Sequence, residues 1–522
     1  MKKKILWNIV YTLIFLLLLA GEAMTIATIV RLDMLPKLYL AAVIGLFGLM
    51  SLIVGLMLFV QGRRSGKIRR VLACVLAVII VCGCAVICTV AMDVLKTLEA
   101  TNSEYAEIAT REIYVLADNS VKDLEDTIGF TYGYAKHYDE SCSQQVLETV
   151  LEKTGGQIST AGFTDVFTMA RALLSGKIDA MILNGGYVSI LEDMEEFVDF
   201  SAKTRILDQI LVIEIEELLE ETPDDEQIEE EGMEPAEPEE TQPQEEELDL
   251  SELKPFAVYL SGSDTHGTKI VKSGRSDVNI VAVVNPMTKQ ILLLNTPRDY
   301  YVGNPAGNGA KDKLTHCGIN GTKNSMKALN NLYDIELDYY VRINFDGFKK
   351  FIDALDGITV YSDYAFTAIT RTYIKKGENH LNGQEALDFA RERYTLKGGD
   401  NARGKHQMQV IKAVIEKATT GTTIISNYSD ILASVDGMFQ MSIPTELITT
   451  MMKMQLSDMA RWNVVTYAVT GTNSMETCYV APGVPLAVII PSQRSVDKAK
   501  LLKDMVLNGE LLTEEAVSGI VE

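Results

Sequence analysis

The sequence predicts an α/β chain with three N-terminal transmembrane helices, a small α/β accessory domain and a C-terminal domain layered α-β-α. Three observations predict it. Long apolar runs fill the first 92 residues, a strongly acidic segment divides the remainder, and β-branched, strand-length runs alternate with helical stretches after Phe256. At 522 residues the chain exceeds one ordinary core, and boundaries are expected at 1–92, 93–213, 214–254 and 255–522.

Ile5–Ala20, Leu38–Val60 and Val71–Met92 are each long enough to cross about 30 Å of hydrocarbon at about 1.5 Å per residue. A cleaved signal peptide would explain the first run alone, but two more follow without an A-x-A-like site. Lys2, Lys3 and Lys4 precede the first run, and Arg63, Arg64, Lys67, Arg69 and Arg70 separate the second from the third. The other loop carries only Arg31 and Lys37 beside Asp33. This bias predicts a multi-pass protein of the cell membrane, with a cytoplasmic N-terminus and everything beyond about residue 93 outside.

Between Glu104 and Ile215, IYVLA and DAMIL read as short strands, and MARALLSGKI as a helix running into a glycine stop. IGFTYGYAKHYDES and LLSGKIDAMILNGG resemble pieces of the periplasmic solute-binding module, although a plain scaffold fits the same residues. From Glu214 to Asp249 stand 19 Asp/Glu and no Lys or Arg, a composition expected of a disordered, self-repelling linker. The net charge of −23 therefore belongs to this segment. Without it 52 acids face 48 bases, a net of −4, and no nucleic-acid footprint remains. Cys74, Cys82, Cys84 and Cys88 lie in the third apolar run as small packing residues. Cys142, Cys317 and Cys478 form no disulfide or zinc pattern.

Beyond Phe256, FAVYLSG, VNIVAVVNP, QILLLNTP, DYYVRINF, GITVYS and WNVVTYAV read as strands, and the nearly all-apolar second as a central one covered on both faces. Helices are expected at Thr322–Leu332, Gly347–Leu355, Gln384–Arg391, Arg403–Thr419 and Ser495–Leu507, the third started by Asn382 and Glu385 as a capping box. Charge concentrates in four places: SGSDTHG with Asp264, SGRSDVN with Arg275 and Asp277, NTPRDYY with Arg298 and Asp299, and ARERYTLKGGDNARGKHQ with Arg391, Arg393 and Arg403. Each alone reads as a surface ion pair. Together, at the mouths of an expected parallel-type sheet, they suit a pyrophosphate held by arginine forks and by Mg²⁺ on aspartates.

These motifs resemble the LytR-CpsA-Psr family of cell-wall phosphotransferases. GSD, GRSD, TPRD, a KxxHC version of K-I-N-H-A, FDGF, LDGI, LNGQEALDFARER and the GD-x-x-R…Q tail follow in family order from about Phe256 to Leu511. The arrangement of three spans and an accessory domain resembles the capsule-attaching members. The resemblance implies transfer of a glycan phosphate from a polyprenyl-pyrophosphate carrier to a peptidoglycan hydroxyl. It further implies Mg²⁺ on Asp264 and Asp277, the pyrophosphate on Arg275, Arg298, Arg391, Arg393 and Arg403 with Gln407 in support, and Asp299 as base or orienter. The same motifs would serve a polyprenyl-pyrophosphate glycan hydrolase or a non-catalytic envelope receptor. Three positions depart from the pattern. His406 replaces an arginine and is expected to weaken one phosphate contact; Thr315 replaces Asn, and Tyr300 a small hydroxyl residue. His266 and His316 are expected in turn and packing roles. The donor lipid calls for an apolar groove next to the pyrophosphate, for which helices after residue 403 and WNVVTYAV are candidates.

Overall fold

The computed structural model describes residues 2–32, 34–60, 66–102, 108–136, 139–213, 253–263, 274–396, 399–420, 431, 437–513 and 516–517. The acidic segment falls outside them. Helices α1 (Lys2–Leu32), α2 (Lys37–Phe59) and α3 (Gly66–Asn102) form the N-terminal bundle. Each contains a stretch of 23 or 26 residues long and apolar enough to cross a membrane. Inside the bundle the Glu22 carboxyl, almost fully buried, accepts a hydrogen bond from Ser51 and ties α1 to α2. None of the seven cysteines is in a disulfide; Cys84 packs inside the bundle, whereas Cys82 faces outward.

The next unit comprises β1 (Ile108–Leu116), β2 (Thr131–Ala135), α4 (Glu140–Thr154), β3 (Ser159–Phe163), α5 (Val166–Leu174), β4 (Ala180–Leu183), α6 (Val188–Glu192), α7 (Phe200–Lys203) and β5 (Thr204–Ile213). Its sheet runs β3-β2-β4-β1-β5. One face buries Val146 and Val150 of α4; the other buries Phe167, Leu173, Tyr187, Ile190 and Leu191.

The C-terminal part begins with β6 (Phe256–Ser263), β7 (Ser276–Asn285), β8 (Gln290–Asn295), β9 (Tyr301–Asn304), β10 (Ala310–Lys313), α8 (Leu314–Cys317), α9 (Thr322–Tyr333), β11 (Tyr339–Asn344) and α10 (Phe345–Ala354). There follow β12 (Ile358–Ser362), β13 (Phe366–Thr367), β14 (Tyr373–Ile374), β15 (Gly377–Leu381), α11 (Gly383–Arg391) and α12 (Gly399–Thr419). The chain closes with β16 (Phe439–Met441), α13 (Thr445–Asp458), β17 (Asn463–Ala468), β18 (Gly471–Cys478), β19 (Ala481–Pro491) and α14 (Gln493–Leu507). Strand side chains alternate between faces, so two cores form on one sheet. Tyr259, Val281, Leu292 and Leu294 pack against Leu329 of α9 and Leu502 of α14; Val258, Ile280, Ala282 and Leu293 pack against Met408 of α12. The expected capping box is present: Asn382 accepts from the Glu385 N–H and Glu385 accepts from the Asn382 N–H, both at 3.0 Å.

The sheet order β16-β11-β6-β7-β8-β17 corrects one expectation. The sheet is mixed, not parallel: β11 with β6 and β8 with β17 are parallel, whereas β7 is antiparallel to both its neighbours. The reason is local. Only four residues separate β7 from β8, room for a hairpin and too few for a helical crossover.

Candidate functional site

Register brings the charged motifs to one end of this sheet. Ser263 ends β6 beside Ser276 at the start of β7 and beside Asn344 at the end of β11; Asn295 and Ala468 end β8 and β17 side by side. The ends of β6, β8, β11 and β17 and the start of β7 therefore lie together. Asp264 and His266 fall outside the described residues.

Arg298 Nη1 lies 2.7 Å from Asp277 Oδ1 in a pair largely shielded from solvent. The Thr315 hydroxyl, 3.5 Å away, donates to the same oxygen. Asp299 stands between two cations, with Oδ1 3.7 Å from Arg298 Nε and 3.3 Å from Lys313 Nζ. Arg275 Nη1 pairs at 2.6 Å with Asp193, a residue of the preceding unit. Arg391, at the end of α11, places its guanidinium carbon 4.2 Å from the centre of the Phe345 ring, just beyond β11. Glu392 holds this turn in place. Burial alone would raise its carboxyl, but N–H donors led by Thr395 and Ile369 hold it below the usual range. Arg393 turns to its own neighbour, donating to the Tyr394 hydroxyl at 2.7 Å.

Arg403 and Gln407 lie buried on the first turns of α12, where Gln407 Oε1 accepts from Asn295 Nδ2 at 3.5 Å. Close approach of α12 to β8 depends on Gly404: a Cβ there would stand 2.3 Å from Asn295 Oδ1. Gly404→Ala displaces the turn carrying Arg403 and Gln407 and is expected to lower turnover about tenfold or more. A steady-state assay beside a melting curve checks this, the loss of rate exceeding any loss of fold.

His406 corrects the phosphate-contact expectation. Its ring stacks 4.0 Å from Phe389 and 5.4 Å from Phe366, buried, with Nδ1 hydrogen-bonded to the Phe389 carbonyl at 3.1 Å. It is a packing residue. Burial holds its pKa below 6.5, opposed by the Phe389 carbonyl. The unfolded chain thus takes up this proton at higher pH than the folded one. The contribution to stability is intact above about pH 6.5 and is lost as pH falls below it, by at most about 1.4 kcal/mol per unit. His406→Leu is expected to flatten that part of the acid slope, read as melting temperature between about pH 6.5 and 5.

Tyr300 is buried and donates to the Thr470 carbonyl at 2.9 Å, so this departure packs β19 and α14 against the sheet end. His316, Asp312 and Cys478 form a buried cluster of metal-ligating types. The Asp312 carboxylate already accepts from His316 at 2.6 Å, from the Lys313 N–H at 2.8 Å and from Asn304 at 3.2 Å. Burial pushes the Cys478 thiol up to about 12. Packing accounts for this cluster, as expected for His316.

Sequence reasoning missed Arg342, whose signal was one arginine within the apolar run DYYVRINF. It is almost wholly buried, with Nη2 3.5 Å from the Gly274 carbonyl and Nη1 3.4 Å from the Thr322 hydroxyl, so it braces the backbone just before Arg275. The apolar groove is lined by α12 and Trp462, as expected, but lies elsewhere than beside the pyrophosphate residues. A cavity of about 330 Å³ is lined by Phe256, Ile291, Ile415, Met451 and Trp462, at the ends of β6, β8 and β17 remote from the arginines. Between Gln407 and Thr419, α12 spans about 18 Å from one site to the other. Ile448 and Met452 of α13, which also line this cavity, pack against Leu32 and the buried Met34, between α1 and α2.

The fold and these sites define a membrane-anchored α/β protein with an arginine–aspartate centre at one sheet end. Residues 225–487 match the LytR_cpsA_psr family, half of the chain, and the chain belongs to that family. Residues 104–225 match the NMT1/THI5-like family. The polyisoprenyl-teichoic acid–peptidoglycan teichoic acid transferase TagU of Enterococcus faecalis is 36% identical over 190 residues, 36% of this chain and 62% of that relative. TagU of Bacillus cereus is 32% identical over 209 residues, 40% of this chain and 67% of that protein. The chain thus spans somewhat under two thirds of the first relative's length. The crystal structure of B. subtilis TagV is 27% identical, covers 50% of this chain and 99% of its own, and superposes with a TM-score of 0.41.

Proposed function

We propose that this protein is a membrane-tethered phosphotransferase that joins a lipid-carried glycan, such as teichoic acid or capsule, to peptidoglycan. The observation that carries the reading is the convergence of Arg275, Arg298, Arg391, Arg403 and Asp277 at one sheet end, in a family whose relatives are named for teichoic acid transfer. In the reaction, an acceptor hydroxyl oxygen attacks the phosphorus bearing the glycan. The P–O–P bond breaks, polyprenyl phosphate leaves, and the hydroxyl proton passes to solvent or a base. Such transfer asks for positioning and charge neutralisation rather than a protein nucleophile. Arg275, Arg298, Arg391, Arg393 and Arg403 grip the pyrophosphate oxygens, Gln407 supports Arg403's turn, and Asp299 orients Arg298 and Lys313.

Asp277, beside the Thr315 hydroxyl, offers the hard oxygen donors Mg²⁺ takes, and Asp264 would complete the protein's share. Bound there, Mg²⁺ would neutralise charge on the pyrophosphate. The basic residues flanking the apolar helices support an extracellular position for this centre. The deciding experiment incubates the full-length protein with a lipid-pyrophosphate glycan, Mg²⁺ and peptidoglycan oligomers, read by mass spectrometry. A phosphodiester-linked product supports transfer. Free glycan phosphate alone would make the protein a hydrolase, and binding without turnover a receptor.

A further inference from the structure

We infer that Asp193, in the accessory unit, is a positioning residue for Arg275 and that this unit forms one wall of the phosphotransferase centre. The inference rests on the proposed function. Its starting point is the 2.6 Å contact between Asp193 Oδ2 and Arg275 Nη1, in which the arginine side chain is 11% exposed and the aspartate 58%. A lone pair of this kind at a mobile rim would mean little. Here the backbone leading to each partner is anchored.

The anchor on the accessory side is Asn184-Gly185-Gly186. Asn184 Nδ2 donates to the Ile319 carbonyl at 3.2 Å, and its Oδ1 accepts from the Gly186 N–H at 3.0 Å. Glu112 Oε2 accepts from the Gly185 N–H at 2.7 Å. A Cβ on Gly186 would lie 3.3 Å from Ile319 Cγ2 and 3.5 Å from Gly274 Cα, so backbone approaches backbone beside Arg275. From this turn α6 runs directly to Asp193. Its Ile190 and Leu191 share one buried core with Ile319, Cys478, Val480 and Val488 of the C-terminal part. On the other side, Gly318 fits under the Gly274 carbonyl, 2.7 Å from where its Cβ would be, and Arg342 holds that carbonyl. Arg275 is therefore fixed at its backbone by its own domain and at its guanidinium by the neighbouring one. A long, flexible cation held in place loses less entropy when it engages a phosphate.

The test measures steady-state transfer by the full-length protein in detergent micelles, with a lipid-pyrophosphate glycan as the varied substrate. Arg275 grips the donor before and during transfer alike, so loosening it acts on KM. Asp193→Ala and Asp193→Asn are expected to raise donor KM about tenfold with kcat within about twofold, while Asp193→Glu restores most of the loss. A merely structural role would move kcat with the melting temperature and would not be rescued by glutamate. Unchanged KM in Asp193→Ala, with Arg275→Ala inactive, overturns the inference and leaves the phosphotransferase reading standing. A lowered KM also overturns it, because the carboxylate would then compete with the donor. Normal activity in Arg275→Ala would remove the site assignment on which both rest.

Discussion

Asp277→Ala and Arg298→Ala each lower transfer by about a thousandfold, and the double variant falls no further than the worse single one. The expectation follows from their geometry. Arg298 reaches Asp277 at 2.7 Å and Asp299 at 3.7 Å, and Asp277 also accepts from Thr315. Removing the carboxylate takes away the arginine's closest partner and, with it, the proposed magnesium ligand; removing the arginine leaves Asp277 without its neutralising partner beside the proposed anionic donor. Groups that act as one unit are lost as one unit. Arg391→Ala belongs to the same class, because its guanidinium is held over Phe345 at the same sheet end. The pair is mostly shielded but lies outside the two apolar cores, so melting temperatures should change little. Single-turnover rates and melting curves on the same samples check this. Normal turnover in Asp277→Ala, or losses that add in the double variant, would remove the shared role.

The parts legible in the sequence were those specified locally. The runs FAVYLSG, VNIVAVVNP and QILLLNTP became β6, β7 and β8 because apolar β-branched residues fit a sheet buried on both faces. Asn382 with Glu385 fixed the start of α11 through two hydrogen bonds that involve only near neighbours. The direction of β7 against β8 is also set locally, by the four residues between them, but its pairing with β6 is not and shows only in the register of Ser276 with Ser263. The partners of the charged residues were equally hidden. Nothing near Arg275 names Asp193, 82 residues earlier, and nothing in GKHQ shows that His406 joins Phe366 and Phe389 in a cluster of three rings instead of facing the phosphate site. Strand β18 and α13 were missed because Ser, Thr and other polar residues break their apolar faces, and β19 because Pro482, Gly483 and Pro485 interrupt its apolar run.

Met451→Asp should cut the use of long-chain lipid donors by about a hundredfold while leaving a short-chain, water-soluble donor within about twofold. Met451 lines the apolar cavity with Leu447, Trp462 and Ile415, about 18 Å along α12 from Gln407. A carboxylate placed there is costly to cover with hydrocarbon, whereas the distant arginines are untouched. For an isoprenoid chain whose pyrophosphate rests on those arginines, this cavity lies about 18 Å away along α12. The cavity wall continues towards the bilayer, since Ile448 and Met452 of α13 line it and also pack on Leu32 and Met34 at one end of the anchor. Each buried methylene of the donor contributes about 0.8 kcal/mol, so losing three or four of them accounts for the expected factor. Comparing kcat/KM for the two donors in detergent and in vesicles separates lipid capture from chemistry. Equal losses for both donors would show that Met451 supports the fold of the centre, and no loss for either would show that the lipid lies elsewhere.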